Sequence, residues 1–221
     1  MAQTSTVLGL AAQINAALPQ TQCTRCGYPD CAAYAQAIAE SSAPINQCPP
    51  GGAEGIARLA AITGQPAQPL NPEFGIEAAR TTAVIDEAWC IGCTLCIAAC
   101  PTDAIFGSNK RMHSVIPTHC TGCELCLPVC PVDCIQMVNA SGSHTGWSAW
   151  STADAEHARL RYASHSSRLG QDARPGGEQP GEKPSLGPGA STQAAAPIDP
   201  KKAIIAAALE RARAQRAASA G

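Results

Sequence analysis

Residues 90–101 read Cys-Ile-Gly-Cys-Thr-Leu-Cys-Ile-Ala-Ala-Cys-Pro, and residues 120–131 read Cys-Thr-Gly-Cys-Glu-Leu-Cys-Leu-Pro-Val-Cys-Pro. Both follow C-x2-C-x2-C-x3-C-P. Three thiolates at i, i+3 and i+6 let one loop wrap three corners of an iron–sulfur cube, so the fourth thiolate must come from elsewhere. Cys100 is expected at the start of a helix that points away from its own loop and toward the other set. The predicted ligand groups are therefore Cys90, Cys93, Cys96 and Cys130 for one cluster, and Cys120, Cys123, Cys126 and Cys100 for the other.

The two motifs anchor an internal repeat over residues 81–140 with an offset of thirty. This is the pattern of bacterial two-cluster ferredoxins. It predicts an α+β fold of two similar halves about a pseudo-two-fold axis, each a strand, a cluster loop, a short helix and a return strand. Thr81–Asp86 alternates as a short strand, and 105–116 joins the halves. Gly92 and Gly122 lie where a residue without Cβ can take positive φ and turn backbone N–H groups toward sulfur. Pro101 and Pro131 restrict the cysteine before them. Ile91, Leu95, Ile97 and Ile105 are expected to sheath the first cluster. Leu125, Leu127, Val129 and Ile135 are expected to sheath the second. Structural zinc sites use two C-x2-C pairs far apart, which the third closely spaced cysteine argues against. Cys134 maps onto Ala104, so it is read as a small buried apolar residue rather than a ligand.

Composition agrees with a metal-stapled chain. There are 221 residues, two Phe and an aromatic content of 4%, so large apolar cores are not expected. The 13 cysteines are odd in number and tightly spaced, and no secretory signal precedes them, which speaks against disulfides and for a reducing compartment. Residues 1–140 hold five Lys or Arg and ten Asp or Glu, whereas 141–221 hold ten and seven. Thiolate-held clusters add negative charge, so the acidic head should steer toward basic surfaces on redox partners and should not bind nucleic acid.

A third set, Cys23, Cys26, Cys31 and Cys48, has the spacing C-x2-C-x4-C-x16-C. Ligand arithmetic alone admits an iron–sulfur cluster, a zinc site or a redox C-x2-C pair. The stretch from Cys23 through Ala39, Cys-Thr-Arg-Cys-Gly-Tyr-Pro-Asp-Cys-Ala-Ala-Tyr-Ala-Gln-Ala-Ile-Ala, followed by Ile-Asn-Gln-Cys-Pro-Pro-Gly-Gly at 45–52, resembles the N-terminal cluster domain of the Rnf electron transport complex B subunit. The order also resembles that family: this domain, a linker, two ferredoxin motifs and a basic Ala-rich tail. The resemblance implies a [4Fe-4S] cluster on Cys23, Cys26, Cys31 and Cys48, three clusters in all, and single-electron relay between a reduced carrier and NAD coupled to ion movement. It implies redox protein partners, either a flavoprotein or other members of an Rnf-type complex. Members of that family usually begin with a hydrophobic membrane helix, whereas this sequence begins with a short amphipathic segment. The expectation is a cytoplasmic protein, soluble or peripheral at the inner face of the cell membrane.

The remaining segments complete the layout. Val7, Leu10, Ala11, Ile14 and Leu18 predict a helix over 5–18. The predicted domains are 1–64, a Pro-rich linker at 65–80, the ferredoxin domain at 81–140, and a helical or disordered basic tail at 141–221. Within the tail, a helix is predicted from the cap Ser151 to Leu169, disorder over 170–200, and a basic helix over 200–218 carrying Lys201, Lys202, Arg211, Arg213 and Arg216. No flavin, nucleotide or substrate motif and no catalytic residue is evident. His113 and His119 lie near the clusters and are read as surface or hydrogen-bonding groups, not ligands. Besides the Rnf-type reading, the sequence admits a ferredoxin subunit of a soluble oxidoreductase or an iron–sulfur sensor.

Overall fold

A computed structural model describes residues 2–172, with side chains from Val7 to Gly170. The disorder expected over 170–200 begins in helix, which continues to Asp172, and from 173 onward that stretch and the basic helix expected over 200–218 lie outside the described residues. Residues up to Ser167 pack as one compact unit.

The N-terminal part is helical. α1 (Ala2–Ala17) carries its apolar positions at helical spacing and packs on α2 (Cys31–Ala39) and α3 (Gly52–Thr63). Ile14, Leu18, Tyr34, Ile38 and Leu59 are all at most 2% exposed and form the centre of this core. α2 starts sharply because the Asp30 carboxylate accepts the N–H of Ala33 at 2.7 Å. α3 stops at Gly64, whose φ of 71° ends the helix in the left-handed region. The segment expected as a linker is tied down. Asn46 donates to the Pro69 carbonyl at 2.8 Å, and the Glu77 carboxylate accepts from Ala53 N–H at 2.9 Å and Thr145 Oγ1–H at 2.7 Å.

The ferredoxin-like part has two small antiparallel sheets. β1 (Thr81–Ile85) pairs with β4 (Ile135–Asn139), with Ala83 opposite Met137. β2 (Ile105–Phe106) pairs with β3 (Ser114–Val115). Each sheet takes one strand from each half of the repeat, so the halves are interlocked. The short helix appears in only one half. α4 (Leu95–Ala99) lies within the first motif, and the N–H of Ala98 donates to Thr94 O at 3.1 Å. The equivalent position in the second half is Pro128, which has no N–H to donate, and 125–129 forms turns instead. Cys100 caps the C-terminal end of α4 rather than starting a helix, so it leaves its own loop from the helix end.

The chain then returns across the molecule. α5 (Gly146–Ala149) leads into α6 (Thr152–Asp172), which begins at the expected cap Ser151, where Ser151 and Asp154 exchange hydrogen bonds. Among the described residues no helix is long and apolar enough to cross a membrane.

Candidate metal centre

The cluster loops are built from a repeated backbone. Gly92 and Thr94 have φ of 68° and 64°, and Gly122 and Glu124 have 70° and 65°. A Cβ on Gly92 would meet the Arg111 nitrogen at 2.4 Å, and one on Gly122 would meet the Thr81 carbonyl at 2.5 Å. Only glycine allows these loops to close against their neighbours.

Two cavities lie inside the ferredoxin-like part. One is lined by Cys90, Cys93, Cys96 and Cys130. The other is lined by Cys100, Cys120, Cys123 and Cys126. The fourth cysteine of each motif thus faces the cavity of the other motif. Backbone N–H groups approach the sulfurs: Ala83 N to Cys120 Sγ at 3.4 Å, His113 N to Cys90 Sγ at 3.4 Å, Ala104 N to Cys100 Sγ at 3.1 Å, and Cys134 N to Cys130 Sγ at 3.4 Å. Such donors stabilise charge on cluster thiolates.

The apolar lining departs from the expected sheath. Ile105 faces the Cys120 cavity and Ile135 faces the Cys90 cavity, the reverse of the prediction. Each isoleucine follows a crossing cysteine, Cys100 or Cys130, and is carried over with it. Ile91 lines the Cys90 cavity yet is 57% exposed, so that cavity lies near the surface, while Leu95, 49% exposed, and Ile97 do not line it. Leu125, Leu127 and Val129 line neither cavity.

Cys134 is 3% exposed, as the repeat predicts. Its sulfur also lines the Cys90 cavity, 3.5 Å from Cys130 Sγ. Sequence reasoning did not place a fifth sulfur at this site. His113 is 1% exposed, and its Nδ1 lies 3.3 Å from Cys96 Sγ. His119 packs edge-on against His157.

In the N-terminal part, Cys23, Cys26, Cys31 and Cys48 lie close enough to act on one another's ionisation, with Cys31 opening α2 and Cys48 just before α3, each about 8–9% exposed. The loop holding them has left-handed residues at Gln22, Thr24 and Gly27. The side chain of Gln22 accepts the N–H of Cys31 at 3.0 Å, which fixes the start of α2.

The electrostatics of all three sets point the same way. Burial, and then the charges of Cys93 and Cys90, push the Cys96 thiol up to about 11. Burial, followed by Cys123, Cys120 and Cys100, pushes Cys126 up to about 12. Burial also drives Cys31 up to about 12 and Cys48 well above its ordinary value, with the other cysteines of the set adding to it. Thiols held up by burial and by their neighbours, as Cys31, Cys48, Cys96 and Cys126 are, need a cationic core among them to become ligands. Among the described residues no three His, Cys, Asp or Glu meet around a single ion. In the ferredoxin-like part the sulfurs ring a space, a donor set that suits a polynuclear iron–sulfur core.

The N-terminal set abuts one of the other two. Thr121 donates its hydroxyl to the Thr21 carbonyl at 2.9 Å, and Arg25 pairs with Glu124 at 2.9 Å. The loop of the first set therefore lies on the loop carrying Cys120 and Cys123.

Residues 83–137 match the family model of the 4Fe-4S dicluster domain, and residues 18–50 match the Fe-S cluster family model. Curated relatives are named as the B subunit of an ion-translocating oxidoreductase complex. The protein from Azoarcus sp. is 59% identical over 107 residues, which is 48% of this chain and 58% of that protein. The one from Hahella chejuensis is 56% identical over 138 residues, 62% of this chain and 69% of that protein. The one from Alkalilimnicola ehrlichii is 57% identical over 131 residues, 58% of this chain and 70% of that protein. The matched stretch spans less than two thirds of the Azoarcus relative and of the Thiobacillus denitrificans relative, at 58% and 57% of their lengths. No solved structure matches. With its dicluster domain, its N-terminal iron–sulfur segment and this degree of identity, the chain belongs to the family of the B subunit of Rnf-type ion-translocating oxidoreductase complexes.

Proposed function

We propose that this chain relays single electrons through three [4Fe-4S] clusters as the B subunit of an Rnf-type complex. The carrying observation is the grouping of twelve buried or half-buried cysteines into three sets of four, two of them crossed between repeats. In this reading Cys23, Cys26, Cys31 and Cys48 hold the first cluster. Cys90, Cys93, Cys96 and Cys130 hold the second, and Cys100, Cys120, Cys123 and Cys126 the third. Bound clusters supply one-electron storage and exchange.

The protein's own residues hold the sulfurs, exclude water and set the order. The contact of Thr21 and Arg25 with Thr121 and Glu124 supports a linear series in which the Cys120 site is the middle member. The Cys90 site stands at one end, with Ile91 and Leu95 exposed beside it as a contact area for a redox partner. Its partners are the other proteins of the complex, in keeping with the names of the relatives. The domain plan behind this reading is an N-terminal cluster domain at 1–64, a connecting segment at 65–80, a ferredoxin domain at 81–140 and a basic tail beyond.

The test is iron and sulfide analysis of anaerobically reconstituted full chain. About twelve irons per chain are expected. About eight would remove the N-terminal set from the proposal, and zinc with no brown chromophore would overturn it.

A further inference from the structure

The internal repeat supplies a control for every residue around its two cavities. Cys120, Cys123 and Cys126 map onto Cys90, Cys93 and Cys96 by subtracting thirty, and the residues that the first half lends to the Cys120 cavity find their counterparts in the Cys90 cavity by adding thirty. Cys100 becomes Cys130, Ile105 becomes Ile135, and Thr102 becomes Val132. The same operation turns Ala83 into His113 and Ala104 into Cys134. The backbones agree: Ala83 N–H and His113 N–H point at equivalent sulfurs, Cys120 and Cys90, both at 3.4 Å. At this position the side chains differ completely. In the Cys120 cavity it is a methyl group. In the Cys90 cavity it is an imidazole whose Nδ1 sits 3.3 Å from Cys96 Sγ.

The tautomer follows from the surroundings. A cysteine sulfur bound to iron carries no proton, so an attractive contact at this distance requires Nδ1–H to donate. The other nitrogen, Nε2, is buried with no hydrogen-bond partner among the described residues. Placing the hydrogen on Nε2 would bury a donor without an acceptor, at a cost of about 1–3 kcal/mol. Placing it on Nδ1 gives that hydrogen an acceptor. Around the other cavity two hydroxyls stand by sulfurs, Thr102 Oγ1 at 3.9 Å from Cys100 Sγ and Thr121 beside Cys123, but each also has a carbonyl acceptor. Thr102 Oγ1–H donates to the His119 carbonyl at 2.8 Å, and Thr121 Oγ1–H donates to the Thr21 carbonyl at 2.9 Å. The Cys126 sulfur, the counterpart of Cys96, thus has no imidazole donor. A hydrogen bond to a cluster sulfur favours the reduced, more negative state and raises the reduction potential.

We infer that His113 is a positioning residue whose Nδ1–H, held on Cys96, raises the reduction potential of the cluster in the Cys90, Cys93, Cys96 and Cys130 site and so makes the two halves of the repeat electronically unequal. This rests on the reading that the site holds a [4Fe-4S] cluster. It adds a bias to the end of the series: an electron reaching the Cys90 site is held there more strongly than the duplicated scaffold alone would hold it.

The test uses the full chain, reconstituted anaerobically, with iron counted in every sample. Redox titration followed by electron paramagnetic resonance should show that His113→Ala lowers the potential of one cluster and leaves the others in place. His113→Asn, whose side-chain N–H can stand near the position of Nδ1, should restore most of the loss. Wild-type protein carrying 15N only in its histidine imidazoles should show a nitrogen coupling on one reduced cluster. That coupling should vanish in His113→Asn although the potential is kept. Full iron with no imidazole coupling in the wild type overturns the inference and leaves the cluster reading intact. An unshifted potential in His113→Ala, or an equal shift of all clusters, also overturns it. Wild type without clusters overturns both. If His113→Ala fails to hold iron, the wild-type coupling and the Asn variant still decide.

Discussion

Trp150 donates its indole N–H to the carbonyl of Pro19 at 2.8 Å, joining residues 131 positions apart. Around this bond α5 and α6 act as a strap. Trp147 lies under the Arg58 guanidinium, 3.8 Å from its ring centre, and Arg80 stands 4.7 Å from the Trp150 ring. Farther along, Arg161 donates to the carbonyls of Thr102 at 2.6 Å and Asp103 at 3.2 Å, while Tyr162 O–H donates to the Asp30 carboxylate at 3.1 Å. One helix therefore ties the N-terminal cluster segment to the ferredoxin-like repeat.

Trp150→Ala should destabilise the protein by about 3–5 kcal/mol, the usual cost of deleting a buried aromatic side chain. The loss of the bond to Pro19 lies within that figure. Thermal unfolding under anaerobic conditions measures it. An unchanged midpoint would mean that the strap adds nothing to the fold. Deleting residues 173–221 should leave both the midpoint and the iron content unchanged, because the strap contacts of Trp147, Trp150, Arg161 and Tyr162 all precede residue 173.

The crossing of the fourth cysteines has a direct consequence. Cys130→Ser should damage the cluster held by Cys90, Cys93 and Cys96, and Cys100→Ser the one held by Cys120, Cys123 and Cys126. Electron paramagnetic resonance of the reduced variants separates the two. Loss of the wrong cluster in either variant would refute the crossed assignment.

Cys134→Ala should retain all the iron of the wild type. The repeat already places an alanine, Ala104, at the equivalent point of the other cavity, and the Cys134 thiol is pushed up to about 12, first by burial and then by its contacts with Cys130. Loss of about four irons would make Cys134 a ligand.

At the seam between the first and middle sets, two neighbouring contacts should differ in weight. Thr121→Val leaves the buried Thr21 carbonyl without its donor and should cost about 1–3 kcal/mol. Glu124→Gln breaks an ion pair whose partners are 34% and 41% exposed, and should cost less than about 1 kcal/mol. Chemical denaturation of the two variants side by side gives the comparison. Equal losses would show that the seam depends on the charge.

Much of the site was legible because its rules are local. The spacing of Cys90, Cys93 and Cys96 suits a loop that could wrap a cube, and Gly92 and Gly122 mark where such loops must turn through positive φ. The offset of thirty residues exposed the two-fold plan, and Ser151 marked the start of α6. Other features have no local signature. The repeat aligned Pro128 with Ala98, yet only the missing N–H at Pro128 decides that the second half forms turns where the first forms a helix. Ile105 and Ile135 exchange cavities because they travel with the crossing cysteines.

The sequence by itself determined the cysteine sets, their spacing and the duplicated scaffold, since each depends on residues within a few turns of chain. The tertiary structure alone decided that His113 lies on Cys96, that Cys134 faces the cavity of the Cys90 set, and that Trp150 reaches Pro19. Those contacts depend on how surfaces far apart in the chain fit once folded, and no periodicity in the sequence encodes that fit.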